Sequence, residues 1–124
     1  MVKNSSSGLS ARLSEVAVYG MQEKKGNEIV RLDLRNIHSS VADYFVICHA
    51  DSSAQVKALA KSVEEDVYKA LQQDPWHKEG LEQGEWILLD FVDVVVHIFK
   101  TDTRQHFGIE DLWGDAEAQY YKSA

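Results

Sequence analysis

Residues 85–100, EWILLDFVDVVVHIFK, constrain the fold more than any other part of the chain. Apolar side chains alternate through both halves of this stretch, a pattern typical of two β-strands paired as a hairpin. Because alternate side chains point to opposite sides of a sheet, the hairpin has two different faces. One is aliphatic and predicts a core surface: Ile87, Leu89, Val94, Val96 and Ile98. The other mixes aromatic and polar groups, as the centre of a protein interface does: Trp86, Leu88, Asp90, Asp93, Val95, His97 and Phe99.

The turn of this hairpin lacks the residues that tight turns prefer. With residues 91–92 as a two-residue turn, Asp90 lies opposite Asp93 and Trp86 lies opposite His97. Two-residue turns need positive φ, which suits Asn or Gly and penalises a β-branched valine. We therefore expect either this register or a longer loop, and a slip of one residue would exchange the two faces.

Two acids and a histidine on one hairpin admit more than one role. Asp90 and Asp93 either cap the turn or form an acidic pair. As like charges opposed across a hairpin they need a partner, which could be backbone N–H groups, a basic side chain such as Arg104, or a metal ion. His97 is either a hydrogen-bonded structural residue or a metal ligand or catalyst. Cys48, in the middle of an apolar strand, is expected to be a small buried side chain.

The rest of the chain supplies helices and further strands. Residues 1–8 form a short polar tail, and the helical spacing of apolar residues predicts a helix over 9–24, with Gly26 as its C-cap. Period-two alternation predicts a half-buried strand over 28–34. Residues 43–50 are almost continuously apolar, which is typical of a central strand covered on both faces.

The clearest helix follows this strand. Its apolar stripe recurs at the 3.6-residue period: Val56, Leu59, Ala60, Val63, Val67, Ala70 and Leu71. Ser52 and Gln55 form a capping box at its start, and Pro75 lies just beyond its end. Further along, residues 78–81 are a candidate edge strand, and Asp102 is a candidate N-cap for a short helix.

This order of elements predicts an α+β (mixed α/β) fold, with a single mixed β-sheet and helices packed on it. We expect one domain over residues 9–115, between the N-terminal tail at 1–8 and a polar tail at 116–124. No apolar run approaches the roughly 20 residues that span a bilayer, and a single cysteine suits a reducing compartment. The expected location is therefore the cytoplasm, away from membranes.

The charge balance bears on the choice of partner. The chain has 20 acidic and 13 basic residues, for a net charge of −7. Nucleic-acid binding draws much of its affinity from lysine and arginine, so we expect little direct contact with RNA. A basic protein is the better match for such a field, although moderate negative charge also serves solubility alone.

Three stretches together resemble one family. DYFVICHADSSAQVKALA, GEWILLDFVDVVVHIF and TRQHFGIEDLW occur in the order and spacing of the ribosomal silencing factor (Iojap-like) family, and the resemblance runs from about Leu9 to Trp113. The residues that match the family pattern are Asp43, Tyr44, Ser52, Trp86, Asp90, His97, Arg104, Glu110, Leu112 and Trp113.

The resemblance implies a sheet of nucleotidyltransferase-like topology and a possible homodimer. It also implies binding to the large ribosomal subunit through that subunit's fourteenth protein. The family blocks joining of the small subunit and so represses translation, notably when nutrients run short; it implies no cofactor, no metal and no catalytic activity. The partner surface expected from the resemblance comprises Trp86, Asp90, His97, Arg104, Phe107, Glu110, Leu112 and Trp113.

Three positions depart from the family pattern. Val92 stands where the family usually has glycine, which puts the tight turn in doubt. Phe107 replaces a usual tyrosine and so lacks a hydroxyl, and Ala50 replaces a glycine before the long helix. None of the three affects the resemblance itself. Two other functions stay open: a nucleotide-binding enzyme related to the nucleotidyltransferases, and a module whose only task is homodimerisation.

Overall fold

The computed structural model describes residues 2–123, with side chains from residue 8 onward. Its elements in chain order are α1 (Val2–Glu23), β1 (Asn27–Asp33), β2 (Tyr44–Ala50), α2 (Ser53–Leu71), β3 (His77–Glu79), β4 (Trp86–Asp90), β5 (Val94–Lys100), α3 (Thr101–Phe107), α4 (Ile109–Leu112) and β6 (Glu117–Tyr121). The strands form one sheet in the order β3-β4-β5-β2-β1-β6. Only β2 and β5 pair in parallel in the described chain. The predicted fold class is confirmed.

The two long helices cover one face of this sheet. The apolar stripe of α2 is buried at five of its seven predicted positions, while Ala70 is exposed and Leu71 half-buried near the helix end. Ser52 is the N-cap, and its Oγ accepts a hydrogen bond of 3.1 Å from the Gln55 backbone N–H, as predicted. A β-carbon at Gly20 would come within 3.0 Å of the Val63 Cα, so α1 and α2 approach each other closely there. These contacts enclose the main core.

Strand β2 lies in the middle of the sheet, between β5 and β1. Six of its seven residues are buried, which confirms the prediction of a central strand. Cys48 within it is fully buried, and burial raises the pKa of its thiol to about 12. The thiol therefore stays protonated and behaves as the small core side chain that was expected.

The hairpin differs from prediction in its register and not in its faces. Asp90 pairs with Val95, and Trp86 pairs with Phe99. This is a slip of two residues relative to pairs of Asp90 with Asp93 and Trp86 with His97, and an even slip leaves every side chain on its original face. All five residues of the predicted aliphatic face are accordingly buried.

Phe91 is the reason for the slip. Its side chain is buried in the main core on the same face as the aliphatic residues. Its backbone N–H bonds to the Val94 carbonyl at 2.8 Å, which moves the two-residue turn one step along, to Val92 and Asp93. The Asp93 N–H also donates to the Phe91 carbonyl at 3.0 Å, so Val92 is the central residue of a γ-turn, with φ of +78°.

Secondary structure extends into both predicted tails, since residues 2–8 belong to α1 and residues 117–121 form β6. Helix α1 begins at Val2 and not at Leu9. A serine-rich segment without apolar spacing can still extend, toward the N-terminus, a helix that is already formed by the residues that follow it. At the other end, β6 pairs with β1 where a polar tail was expected. Almost all side chains of β6 are exposed, so the strand has no alternation to read and is held mainly by its backbone ladder.

Three smaller features also differ from the sequence prediction: the C-cap of α1, the N-cap of α3 and the bounds of the edge strand. Lys25, with φ of +58°, takes the left-handed position after α1 that was assigned to Gly26. A β-carbon on Gly26 would lie 3.0 Å from the Cys48 Sγ, so this glycine serves close packing. Lys100 occupies the N-cap position of α3 without a side-chain cap bond, which places Asp102 in the first turn. The edge strand expected near residues 78–81 is β3, at His77–Glu79. In the described part of the chain, no helix has the length and apolarity to cross a membrane.

Candidate partner-binding face

The second face of the sheet is only partly covered. The short helices α3 and α4 bring Ile109 onto it, over a small cluster of buried residues: Val30, Leu32, Leu34, Ile47 and Phe99. Toward β4 and β5 the covering stops, and Leu88 and Val95 remain half-buried on the same face as Trp86. An apolar sheet surface open to solvent is therefore available next to the helices.

Five rings form a continuous cluster on this side, four of them partly exposed and His97 buried, which we call the aromatic face: Phe45, Trp86, His97, Phe107 and Trp113. Trp86 lies 4.9 Å from Phe107 and 5.9 Å from His97, measured between ring centroids. The ring of Phe45 lies 4.7 Å from His97 and 5.8 Å from Trp113, both edge-on. Rings from three strands (β2, β4 and β5) and from the α3–α4 segment thus meet at one place.

His97 is the buried polar member of the aromatic face. The Trp86 indole N–H donates to its Nδ1 at 3.1 Å, and its side chain is 5% exposed. Burial lowers the pKa of His97 to about 4, because an apolar environment disfavours the charged imidazolium. The residue is therefore neutral at physiological pH. Trp86 does not pair with it in register, so the contact is diagonal across the hairpin.

Arg104, in the same helix as Phe107, is buried, with 7% of the residue exposed. Its guanidinium makes a bidentate pair with Glu110, at 3.1 Å from Nε and 2.9 Å from Nη2. Nη1 donates to the Glu28 carbonyl and to the His49 Nδ1, both at 2.9 Å. Burial and the Arg104 charge lower the pKa of His49, so that imidazole is a neutral acceptor. Arg104 thus ties α3 and α4 to the ends of β1 and β2.

The two hairpin acids have separate surroundings. Asp90 Oδ1 accepts a hydrogen bond of 2.7 Å from the Val92 backbone N–H, so the acid caps the turn. Burial and the nearby Asp43 carboxylate raise the pKa of Asp93. A backbone donor therefore supplies the partner that Asp90 was expected to need, and Arg104 bonds elsewhere. Within the described residues, no three His, Cys, Asp or Glu side chains are grouped so as to hold a metal ion.

The structure brings together half of the residues expected at the partner surface. Trp86, His97, Phe107 and Trp113 belong to the aromatic face, and Leu112, 76% exposed, precedes Trp113 in the chain. Arg104 and Glu110 bond to each other behind it, and Asp90 lies at the turn.

Phe45 is the member of the aromatic face that the sequence did not indicate. Its strand is almost continuously apolar, so no alternation distinguished a half-buried side chain from a core one. The parallel pairing of Phe45 with Val95 places it on the face shared with His97. Only the pairing of strands distant in sequence could have located it.

Acidic residues stand around the apolar centre. Glu79 on β3 lies opposite Leu88 in register and bonds to His77 at 2.8 Å. Asp111 is exposed on α4, and Asp90 is half-buried at the far end of β4. An apolar centre with a polar rim is the usual anatomy of a protein interface, and here the rim includes negative charge.

Comparison with known proteins identifies the family. The family model described as "Ribosomal silencing factor during starvation" matches residues 9–123. The ribosomal silencing factor of Halalkalibacterium halodurans is 40% identical over 104 residues, covering 84% of this chain and 87% of the relative. A crystal structure of a protein from Chromobacterium violaceum superposes with a TM-score of 0.79 at 35% identity, covering 92% of this chain and 94% of that one. A more distant relative is the mouse protein named "Mitochondrial assembly of ribosomal large subunit protein 1", 34% identical over 74 residues, or 57% of this chain and 32% of the relative.

The chain belongs to the ribosomal silencing factor family. This membership assigns it a ribosome-associated silencing role. The bacterial relatives are named for that regulatory role and not for a chemical reaction.

Proposed function

We propose that the chain binds the large ribosomal subunit through its aromatic face, with the fourteenth protein of that subunit as the partner. Bound there, it blocks joining of the small subunit and represses translation, notably when nutrients are limiting. The observation that carries this proposal is the half-covered sheet, on which Trp86, Phe107 and Leu112 leave an apolar surface exposed.

The composition of the face favours a protein partner over RNA. Aromatic side chains at the centre of an interface supply most of its binding energy, and tryptophan is the most enriched among them. The net charge of −7 and the acids at the rim repel a phosphate backbone and attract a basic protein. Ribosomal attachment through a protein is the arrangement that satisfies both properties.

Size alone lets a bound domain exclude the other subunit. A folded chain of 124 residues has a radius of gyration of about 14 Å. A body of that size on a surface where two subunits meet keeps them apart by more than any hydrogen bond or van der Waals contact can span. The block therefore needs no catalytic step.

Co-sedimentation with purified large subunits tests the surface. Phe107→Ala removes an exposed ring of the aromatic face, while Tyr68→Ala removes a ring of similar exposure (53% against 51%) from α2, which packs on the opposite face of the sheet. We expect Phe107→Ala to weaken binding about tenfold, as loss of an interface aromatic does, and Tyr68→Ala to bind normally. Equal binding by the two variants would exclude this face.

Subunit joining is measured separately, on sucrose gradients of mixed small and large subunits. We expect the protein to shift the population from joined ribosomes to free subunits, and the Phe107→Ala variant to need about tenfold more protein for the same shift. Cross-linking from the aromatic face, followed by identification of the linked chain, tests whether the partner is the fourteenth protein. A link to RNA alone would contradict the choice of partner.

The same apolar surface suits a second copy of the chain, so we also propose a homodimer in the absence of ribosomes. Light scattering gives the oligomeric state of the free protein. Phe107→Ala is expected to shift a dimer toward monomer if the dimer uses the aromatic face, and a dimer that resists this substitution uses another surface.

A further inference from the structure

His97, the buried member of the aromatic face, occupies a position that docking alone does not explain. Its imidazole lies between the rings of Phe45 and Trp86 and is almost inaccessible to solvent. Nδ1 accepts the Trp86 indole N–H at 3.1 Å. A neutral imidazole that accepts at Nδ1 carries its proton on Nε2. That Nε2–H is buried and has no hydrogen-bond partner among residues 8–123.

The bond to His97 decides what Trp86 can offer to a partner. Nε1–H is the only polar group of an indole, and here it is directed at a buried acceptor. Phe99 and Phe107 hold the same indole from other sides, each with its ring centroid 4.9 Å away. The part of Trp86 that remains exposed is therefore hydrocarbon.

We propose that His97 is a positioning residue, which accepts the indole N–H of Trp86 so that Trp86 presents an apolar surface to the ribosomal partner without His97 touching that partner. The proposal rests on the proposed function of the aromatic face. It specifies the chemistry of the partner at this point: the group that meets Trp86 is an apolar side chain and not a hydrogen-bond acceptor.

The unpaired Nε2–H supports a functional reason for the histidine. A buried donor without an acceptor destabilises the folded state; phenylalanine would remove this donor, at the cost of releasing the part-buried indole N–H of Trp86 from its acceptor. Stability alone therefore does not account for a histidine at position 97. Its acceptor nitrogen is the feature that phenylalanine lacks.

The test compares two replacements of His97. Phenylalanine keeps an aromatic ring but has no acceptor, whereas asparagine can place its Oδ1 near the position of Nδ1. We expect His97→Phe to weaken binding to large subunits about three- to tenfold, the effect of one neutral hydrogen bond, with a Tm close to that of the parent. We expect His97→Asn to bind within about twofold of the parent. Nitrogen NMR of the parent at pH 7 should give a proton on Nε2 and none on Nδ1.

A Trp86→Phe background separates positioning from direct contact. Phenylalanine at 86 has no N–H to position, so adding His97→Phe should cause no further loss of binding. An equal loss in both backgrounds would mean that His97 touches the partner, and unchanged binding of the single variant would also overturn the inference. If Phe107→Ala also binds normally, the proposed docking face is wrong. If Phe107→Ala weakens binding but both His97 variants bind normally, the docking face is supported and the positioning role of His97 is excluded.

Discussion

The Asp90 carboxylate holds Val92 in a left-handed conformation. Oδ1 accepts the Val92 N–H at 2.7 Å, and Val92 has φ of +78°. Left-handed backbone is unfavourable for a β-branched residue, and the Val92 side chain is 57% exposed, so it gains little burial in return. Hydrogen bonds of Asp90 and Phe91 therefore hold the turn in a conformation that is unfavourable for Val92 itself.

Replacing this valine should therefore stabilise the protein. We expect Val92→Gly to raise the free energy of unfolding by about 1 kcal/mol, the lower end of the cost of such a conformation. Val41→Gly is the matched control, because Val41 is 94% exposed and is not among the residues with positive φ. Urea unfolding should give a small loss for that variant, since glycine adds freedom to the unfolded chain. An increase in the free energy of unfolding for both variants would mean that the gain does not come from relief of the turn conformation.

Arg104 should be needed for stability irrespective of binding. Arg104→Met leaves the Glu110 carboxylate and the His49 acceptor without their donor, and breaking a buried pair from one side costs about 3–5 kcal/mol. Lys78→Gln removes the exposed Lys78–Glu64 pair, at 3.3 Å, and should cost less than about 1 kcal/mol. Thermal unfolding followed by circular dichroism measures both. Similar losses for the two variants would contradict the structural role of Arg104.

A carboxylate between the long helices should make stability depend on pH. Burial and the adjacent Glu23 carboxylate raise the pKa of Asp66 to about 6. A raised pKa stabilises the fold fully below the unfolded value near 4, and this contribution is lost as pH rises through about 6. We expect Asp66→Asn to raise Tm relative to the parent at pH 8 and to have little effect at pH 4. A Tm difference that is the same at both pH values would exclude this cause.

His97 has the opposite pH dependence. With its pKa lowered to about 4, the folded protein binds this proton less readily than the unfolded chain does. The contribution of the neutral His97 to the free energy of unfolding is fully present above about pH 6.5. It is lost as pH falls toward 4, by up to about 3 kcal/mol at 1.36 kcal/mol per pKa unit. Unfolding measured from pH 7 to pH 4 should slope less steeply for His97→Phe. Equal slopes would mean that His97 titrates normally in the folded state.

Alternation along the hairpin was enough to predict which residues enter the core, because the two faces survive any even slip of register. The register itself was not predictable from local preference. It depends on the burial of Phe91, which is decided by the packing of the helices on the sheet. Strand β6 was not predicted for a related reason. It is an exposed edge strand, so its sequence has no alternation of apolar and polar residues to recognise.

For the candidate site, the sequence indicated the aromatic residues other than Phe45 and missed how the polar ones are used. A lone arginine in a polar segment suggests a surface residue, yet Arg104 is buried by partners 55 and 76 positions earlier, His49 and Glu28. Likewise, nothing local in the sequence couples Trp86 to His97 across the hairpin, where they meet diagonally.

The position of Arg104 changes how a mutational scan of this surface should be read. Because its guanidinium fixes Glu110, and with it the segment that carries Leu112 and Trp113, loss of Arg104 would displace contact residues that are themselves unaltered. A scan scored by ribosome binding alone would then rank Arg104 among the strongest hot spots. The loss of binding would then come from displacement of the proposed contact residues and not from a contact of Arg104 itself. Residues ranked by their effect on affinity and residues ranked by contact with the partner would therefore differ at Arg104.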